Sequence, residues 1–403
     1  MTVNPAPNRG PAPPLRSLHL SDQTRADLGG QQSLLGLVAG LRARGHRPLV
    51  ALPAPGPLSS ALDAHGIPWT SGPLGPGSRG PAGLARRVSF LRREIRRTGA
   101  AVVHADRPLS AFAAALACRG IGARAVWHVR VREPDPLFDR LLPRLVDRIV
   151  ATSRGVLERF PPAVRPRVAV VYNGLDLERF RPAGPPEAPP LVGFVGQWIP
   201  LKGVDGFLEA ARTVAGRVTG VRFLVVGSGS GEYTERLRTL ARPLGGRVEF
   251  APPTPRPEGL YPRLTALVAP TREPGEGFGR VAAEAMACGV PVVASRVAGL
   301  SEVVADGETG LLVPPDDPAE LAGAIENLLR DPVEAAALGR AGRARAERLF
   351  SLEAHVRAME EVFRFPPHPG PLPQGGEGDR RRPAPRRAKR LHFPWWEGGR
   401  GRG

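Results

Sequence analysis

Two glutamates, Glu276 and Glu284, flank a Gly-Phe-Gly turn and an alanine-rich segment in GEGFGRVAAEAMACGVPVVAS, Gly275 to Ser295. A carboxylate pair can act as acid and nucleophile on a glycosidic bond, which needs a separation of roughly 5 to 9.5 Å. Eight residues of ideal helix would set the pair about 12 Å apart, which argues against that use. The other use is recognition, because a carboxylate accepts paired hydrogen bonds from vicinal hydroxyls. The flanking patterns suit recognition. ALVAPT reads as a buried strand and REPGEGFG as the loop beyond its carboxyl end. RVAAEAMAC reads as a helix with Gly289 as its C-terminal cap, and VPVVAS as the next strand. The first turn of such a helix has unpaired N–H groups and a partial positive charge, which suit a phosphate. One glutamate on a ribose and the other on a sugar, with a diphosphate between, would make a nucleotide-sugar clamp. The plainer alternative is a solvated loop charge at Glu276 and an ordinary helix-surface residue at Glu284.

Elements elsewhere must support this loop. At 403 residues the chain exceeds what one core usually serves, so two domains plus extensions are expected. Short apolar runs, PLVALP, AVVHA, AVWHV and RIVATS, alternate with helical patterns before Ser153, and LVGFVG, RFLVVG, ALVAP, PVVAS and GLLVP do so from Leu191 onward. Such runs imply parallel sheets covered on both faces, an α/β fold of two doubly wound, Rossmann-like domains. The break falls at RFRPAGPPEAPP, Arg179 to Pro190, too dense in Pro and Gly for either element. The expected organisation is an extension over 1–14, a first domain over 15–183, a linker over 184–190 and a second domain over 191–350. A helix over 351–365 returning to the first domain and a Pro/Gly-rich basic tail over 366–403 complete it. Ligands of open sheets bind beyond the carboxyl strand ends, so the two domains should face each other across a binding cleft.

The Glu276–Glu284 stretch resembles the E-x(7)-E signature of the retaining glycosyltransferases of family 4, which have the GT-B fold. The resemblance runs over roughly residues 15 to 360. LGGQQSLLGLVAGLRARGH is similar to the family's amino-terminal glycine loop and first helix, and VVYNGLDLERFRP to its domain junction. VGFVGQWIPLKGVDGFLEAA is similar to its diphosphate-binding strand and loop, and GLSEVVADGETGLLVPPDDPAELAGAI to the stretch after the signature. The resemblance implies that Glu276 contacts the donor sugar and Glu284 the ribose. It makes Gly277, Phe278 and Gly279 the backbone around sugar and phosphate, and Lys202 the cation on the diphosphate. Gly196 ends the strand where the family usually continues with arginine, and here Gln197 follows. Glutamine donates a hydrogen bond without neutralising charge, so a degenerate protein that binds donor without turnover stays open. Gly29 and Gly30 precede a helix and let backbone approach a ligand. His128, at the end of AVWHV, matches the family's active-site histidine. His104, and Gly227 with Gly229 in VVGSGSGE, are weaker candidates. The implied reaction moves a glycosyl group from a UDP- or GDP-sugar to an acceptor hydroxyl with retention. The resemblance implies no metal or other cofactor, and the sequence offers no Asp-x-Asp pair or His/Cys cluster to bind a metal.

Composition bounds the partners. The charge is +18, but the segment from Pro366 onward holds nine Arg or Lys against three acids, a net of +6 in a stretch too rich in Pro and Gly to build a core. Nucleic-acid binding would need aromatics among the basic residues, yet aromatics make up 5% and Trp395 and Trp396 fall in that tail. No specific nucleic acid is therefore expected. No run of 18 apolar residues occurs and the Pro-rich start lacks a signal-peptide core, so a cytoplasmic protein is expected. Cys118 and Cys288 lie among alanines and read as buried free thiols. In GLARRVSFLRREIRRTG, Leu84, Val88, Leu91 and Ile95 share a helical face with Arg86, Arg87, Arg92, Arg93, Arg96 and Arg97 around it. Residues 83–99 could thus lie on an anionic membrane surface at the inner face, serving a glycan or glycolipid acceptor, or simply pack a core.

Overall fold

The computed structural model describes residues 13–75, 80–254 and 256–364. Among the described residues thirteen strands form two sheets. The first contains β1 (Arg16–Leu20), β2 (Arg47–Leu52), β3 (Trp69–Ser71), β4 (Val102–Ala105), β5 (Arg124–Val129), β6 (Arg148–Ala151) and β7 (Val168–Val170), in the order β3-β2-β1-β4-β5-β6-β7. The second contains β8 (Leu191–Val195), β9 (Arg222–Val226), β10 (Val248–Ala251), β11 (Ala266–Ala269), β12 (Val292–Ser295) and β13 (Leu311–Val313), in the order β10-β9-β8-β11-β12-β13. Every pairing in the second sheet is parallel, as the unbroken apolar runs require. Phe207, Val214, Phe223, Val225 and Val268 pack one of its faces, and Leu224, Leu267, Met286 and Val292 the other. Helices therefore cover both sides of a doubly wound α/β sheet.

The described residues group into two compact units. One comprises residues 13–127, 145–147 and 360–364, and the other 128–144 and 148–359. No strand or helix lies between Leu175 and Leu191. The C-terminal helix spans Leu352–Arg364, and its last turn belongs to the first unit, where Glu360 meets Arg44 at 3.0 Å and His46 at 3.2 Å. The expected tail over 366–403, and all but two residues of the expected extension over 1–14, lie outside the described residues.

Four of these strands, β1, β3, β7 and β10, are not among the apolar runs read from the sequence. β1 (RSLHL) is the most consequential, since it is central, with β2 on one side and β4 on the other. Its Ser17 and His19 are buried because they satisfy each other and the neighbouring strand. Ser17 Oγ lies 2.9 Å from His19 Nε2, and His19 Nδ1 lies 3.1 Å from Nδ1 of His104, its register partner on β4. Cys118 and Cys288 are buried and free, and burial, the main cause, pushes both thiols up to about 12.

In the second sheet the strand order reverses at β8, which has β9 on one side and β11 on the other. Loops diverge at such a switch point and leave a crevice beyond the strand ends. The loops after β8 and β11 carry Lys202 and Glu276.

Candidate active site

After β8 the chain passes Gly196 and the exposed Gln197 and enters a single 3-10 turn, Pro200–Lys202. Gly203 follows with φ 67°, and a Cβ there would sit 2.0 Å from the Pro270 carbonyl oxygen. Only glycine permits that backbone contact, which presses the Lys202 turn onto the end of β11. Glycine has a similar use at the neighbouring strand end, where a Cβ on Gly227 would lie 1.8 Å from the Gly196 carbonyl oxygen and one on Gly229 2.7 Å from Trp198. Those two residues of VVGSGSGE thus fit loop against loop.

Lys202 Nζ reaches Glu276 Oε1 at 2.7 Å, and the Thr271 hydroxyl donates to the same oxygen at 2.7 Å. Both partners are partly open to solvent, with side chains 24% and 18% exposed. Burial by itself would raise the Glu276 pKa. The Lys202 charge and the hydrogen bonds from Lys202 and Thr271 outweigh it and hold the group below the usual carboxylate range. Of the chain's 56 lysines and arginines, only Lys202 and Lys389 are lysine. A compact ammonium with three rotatable donors is the cation suited to a phosphate approached as a point charge.

The backbone beyond Glu276 is fixed from several sides. A Cβ on Gly277 would lie 1.8 Å from the Arg130 carbonyl oxygen, and the Gly277 carbonyl accepts from the Thr152 hydroxyl at 3.0 Å. Arg132 donates to Glu273 Oε2 at 2.9 Å and to the Pro274 carbonyl at 2.7 Å. Phe278 points into the core, its ring against Phe350 and Tyr172 at 5.3 and 5.9 Å. Gly279, at φ 94°, opens the helix Arg280–Ala287.

Glu284 lies one turn into that helix and is 6% exposed. Its Oε1 accepts from Arg280 Nε at 2.7 Å and its Oε2 from the buried Tyr261 hydroxyl at 2.7 Å. Burial, reinforced by the Glu284 charge and hydrogen bond, pushes the Tyr261 phenol well above its ordinary range, so it stays a donor. An ionised carboxylate has about four acceptor positions, so two remain for further hydroxyls.

The structure thus gathers Lys202, Glu276 and the Gly277–Gly279 backbone at the switch point, and gives Glu284 its own pair of donors. His128 lies in β5, is fully buried and belongs to the same unit. Gly29 and Gly30 begin the helix Gly29–Ala43 in the other unit. Sequence reasoning did not single out Thr271, Tyr261, Arg280, Asp205 or Arg272. Asp205, three residues after Lys202 on the next helix, has a positional cue, but nothing in the sequence pairs it with Arg272. Among the described residues no three His, Cys, Asp or Glu side chains cluster as a metal site.

Comparison with known proteins bears on this geometry. Residues 29–179 match the family described as Glycosyltransferase Family 4, and residues 189–331 the one described as Glycosyl transferases group 1. A D-inositol 3-phosphate glycosyltransferase of Frankia alni is 43% identical over 216 residues, 47% of this chain and 53% of its own length. The enzyme of that name from Rhodococcus erythropolis is 36% identical over 300 residues, 70% of this chain and 66% of its own. This chain spans about half the length of several of the curated relatives it matches. A glycosyltransferase from Rickettsia africae superposes with a TM-score of 0.78 at 20% identity, covering 87% of this chain and 98% of the other. Anabaena Alr3699/HepE in complex with UDP and glucose gives 0.73 at 22%, covering 86% and 99%, a likeness of fold. With both matched families lying in order along one chain of this topology, the protein belongs to the family 4, group 1 glycosyltransferases of the GT-B fold.

Proposed function

We propose that this chain is a retaining, metal-independent glycosyltransferase that moves a sugar from a UDP- or GDP-sugar to an acceptor hydroxyl in bacterial glycolipid or polysaccharide synthesis. The observation that carries the proposal is the Lys202–Glu276 pair at the switch point of the second sheet, beside the start of the helix Arg280–Ala287. Breaking a glycosyl–phosphate bond builds positive charge on the sugar and negative charge on the departing diphosphate. Lys202 and the first-turn N–H groups of that helix supply positive charge for the diphosphate, and they are fixed before reaction. Glu276 takes a sugar hydroxyl, Glu284 offers its remaining acceptor positions to the ribose, and His128 serves the acceptor side. The Anabaena protein is in complex with UDP and glucose, and the relatives are named D-inositol 3-phosphate glycosyltransferases, so UDP heads the donor screen and D-inositol 3-phosphate the acceptor screen.

The test is a thermal-shift series with UDP, GDP, ADP and their sugars, followed by mass spectrometry of acceptor products and NMR of the new anomeric centre. We expect one nucleotide class to raise the melting midpoint and transfer to vanish in Glu284→Ala. Binding without turnover would favour the degenerate reading that Gln197 leaves open, and no response to any nucleotide would overturn the proposal.

For the acceptor we propose a glycan or glycolipid, met at an anionic membrane surface on which the helix Gly80–Thr98 lies. Its core face is Arg87, Phe90, Leu91, Glu94 and Ile95. Arg87, expected from the sequence on the basic rim, is instead 1% exposed, donating to Ser110 at 2.6 Å and to the Leu74 carbonyl at 2.8 Å. Leu84 and Val88, half-buried, lie at the edge of that face. With Leu116 they floor a groove of about 800 Å³ rimmed by Arg92, Arg93 and Arg96. An apolar floor under arginines complements a lipid with an anionic headgroup. Flotation with phosphatidylglycerol vesicles at low and high salt should show binding that Arg93→Glu/Arg96→Glu abolishes, and equal binding to phosphatidylcholine vesicles would count against it.

A further inference from the structure

We propose that Arg272 is the positioning residue of the donor site, holding Lys202 against Glu276 by tying three strand-end loops to one guanidinium. The inference rests on the donor-site reading of Lys202 and Glu276 given above.

Arg272 lies in the loop after β11. Its Nη1 donates to the Pro200 carbonyl at 2.8 Å, and its backbone N–H donates to the Leu201 carbonyl at 2.8 Å. These are the two residues before Lys202. The same guanidinium spans both oxygens of Asp205, the third residue after Lys202, at 3.0 and 3.1 Å. Asp205 is in turn held by the Tyr233 hydroxyl at 2.9 Å. Lys202 is therefore clamped from both sides along the chain. On the other side, the Arg272 carbonyl accepts from the Gly275 N–H at 2.8 Å, immediately before Glu276. Arg272 Nε engages Asp316, in the loop after β13, and Asp316 takes φ 58°, a conformation uncommon outside glycine. One planar fork with five donors thus reaches the loops after β8 and β13 while fixing its own. Lysine has no such fork, so it cannot replace it.

Lys202 can be observed without any ligand, because acetylation of amines followed by peptide mass spectrometry has only two lysines to read. We expect slow labelling of Lys202 in the wild type and labelling several-fold faster in Arg272→Met, with Glu276→Gln as the positive control. Asp316→Asn, at a carboxylate that is 57% exposed, gives a smaller increase and covers the case in which Arg272→Met fails to fold. In the second arm, Arg272→Met weakens UDP binding by calorimetry about tenfold in the wild-type background and less than twofold in Lys202→Met. Arg272→Lys does not restore it. A purely structural role would give unchanged Lys202 labelling or equal losses in both backgrounds, and either result overturns the proposal. If wild-type protein binds neither UDP nor any other nucleotide of the screen, the donor reading fails, while labelling still decides whether Arg272 places Lys202.

Discussion

Lys202 and Glu276 meet at 2.7 Å on a carboxylate oxygen that also carries the Thr271 hydroxyl. The pair joins the ends of two adjacent strands, β8 and β11, at the point where the sheet's strand order reverses. The lysine holds the carboxylate in its charged form. Burial is the largest influence on Glu276 and acts to raise its pKa, and the lysine is the chief force against it.

Replacing Lys202 with methionine should therefore invert the pH behaviour of Glu276. In the wild type its folded pKa is depressed, so its contribution to stability is full above the ordinary carboxylate range and is lost as pH falls through the folded value. In Lys202→Met burial, the largest influence, is opposed only by the Thr271 hydrogen bond, the folded pKa rises above the ordinary one, and stability is lost as pH rises through it. The gap in melting midpoint between the two proteins should widen from pH 4 to pH 7. At neutral pH the lost charged hydrogen bond should cost about 1–3 kcal/mol. Donor affinity should drop by roughly 10- to 100-fold, and Lys202→Arg should recover little of it because its planar guanidinium presents a different donor geometry. A gap independent of pH would show that the carboxylate does not depend on this lysine.

The hydroxyl of Tyr261 makes a second, separable prediction. It donates to Glu284 Oε2 at 2.7 Å inside the core. Tyr261→Phe removes that donor from a buried carboxylate, which should cost about 1–3 kcal/mol in urea unfolding. Glu284→Gln should then cost less in the Tyr261→Phe background than in the wild type, since the two groups are coupled. Strict additivity would mean that the hydroxyl finds another acceptor.

The sequence made the frame legible wherever a strand is buried on both faces, because continuous apolar runs such as PLVALP and PVVAS leave few alternatives. It hid β1, whose serine and histidine are buried by pairing with each other and with His104, an arrangement that needs tertiary contacts to exist. At the site, the Glu276 loop and the helix after it could be placed from the pattern of strand, glycine loop and alanine-rich helix. Their partners could not. Arg272 meets Asp205 and Asp316 across loops 67 and 44 residues away, and Tyr261 reaches Glu284 across 23, with no periodicity linking any of them. Arg87 shows the reverse error, since its charge suggested a surface and its buried partners show an anchor.

The buried histidines predict how the fold responds to acid. Burial drives the His19 pKa down from its ordinary 6.5 to about 3, and that of His355 to about 4 despite the hydrogen bond at 2.6 Å between its Nδ1 and the Tyr172 carbonyl. Both groups are depressed, so the stability tied to their neutral forms is complete above pH 6.5 and is lost as pH falls toward the folded values. Each pH unit in that window is worth about 1.4 kcal/mol per histidine. Between pH 6.5 and 5 most carboxylates remain ionised, so each should contribute a loss of about 2 kcal/mol there. The two lie in different units, His19 packing with His104 and Phe363 and His355 beside Tyr172, so their effects should be separable. His19→Gln keeps a polar group opposite Ser17 and His104 but cannot titrate, and urea unfolding at pH 7, 6 and 5 should show a shallower decline than wild type. An unchanged decline in both His19→Gln and His355→Gln would place the acid sensitivity in other groups.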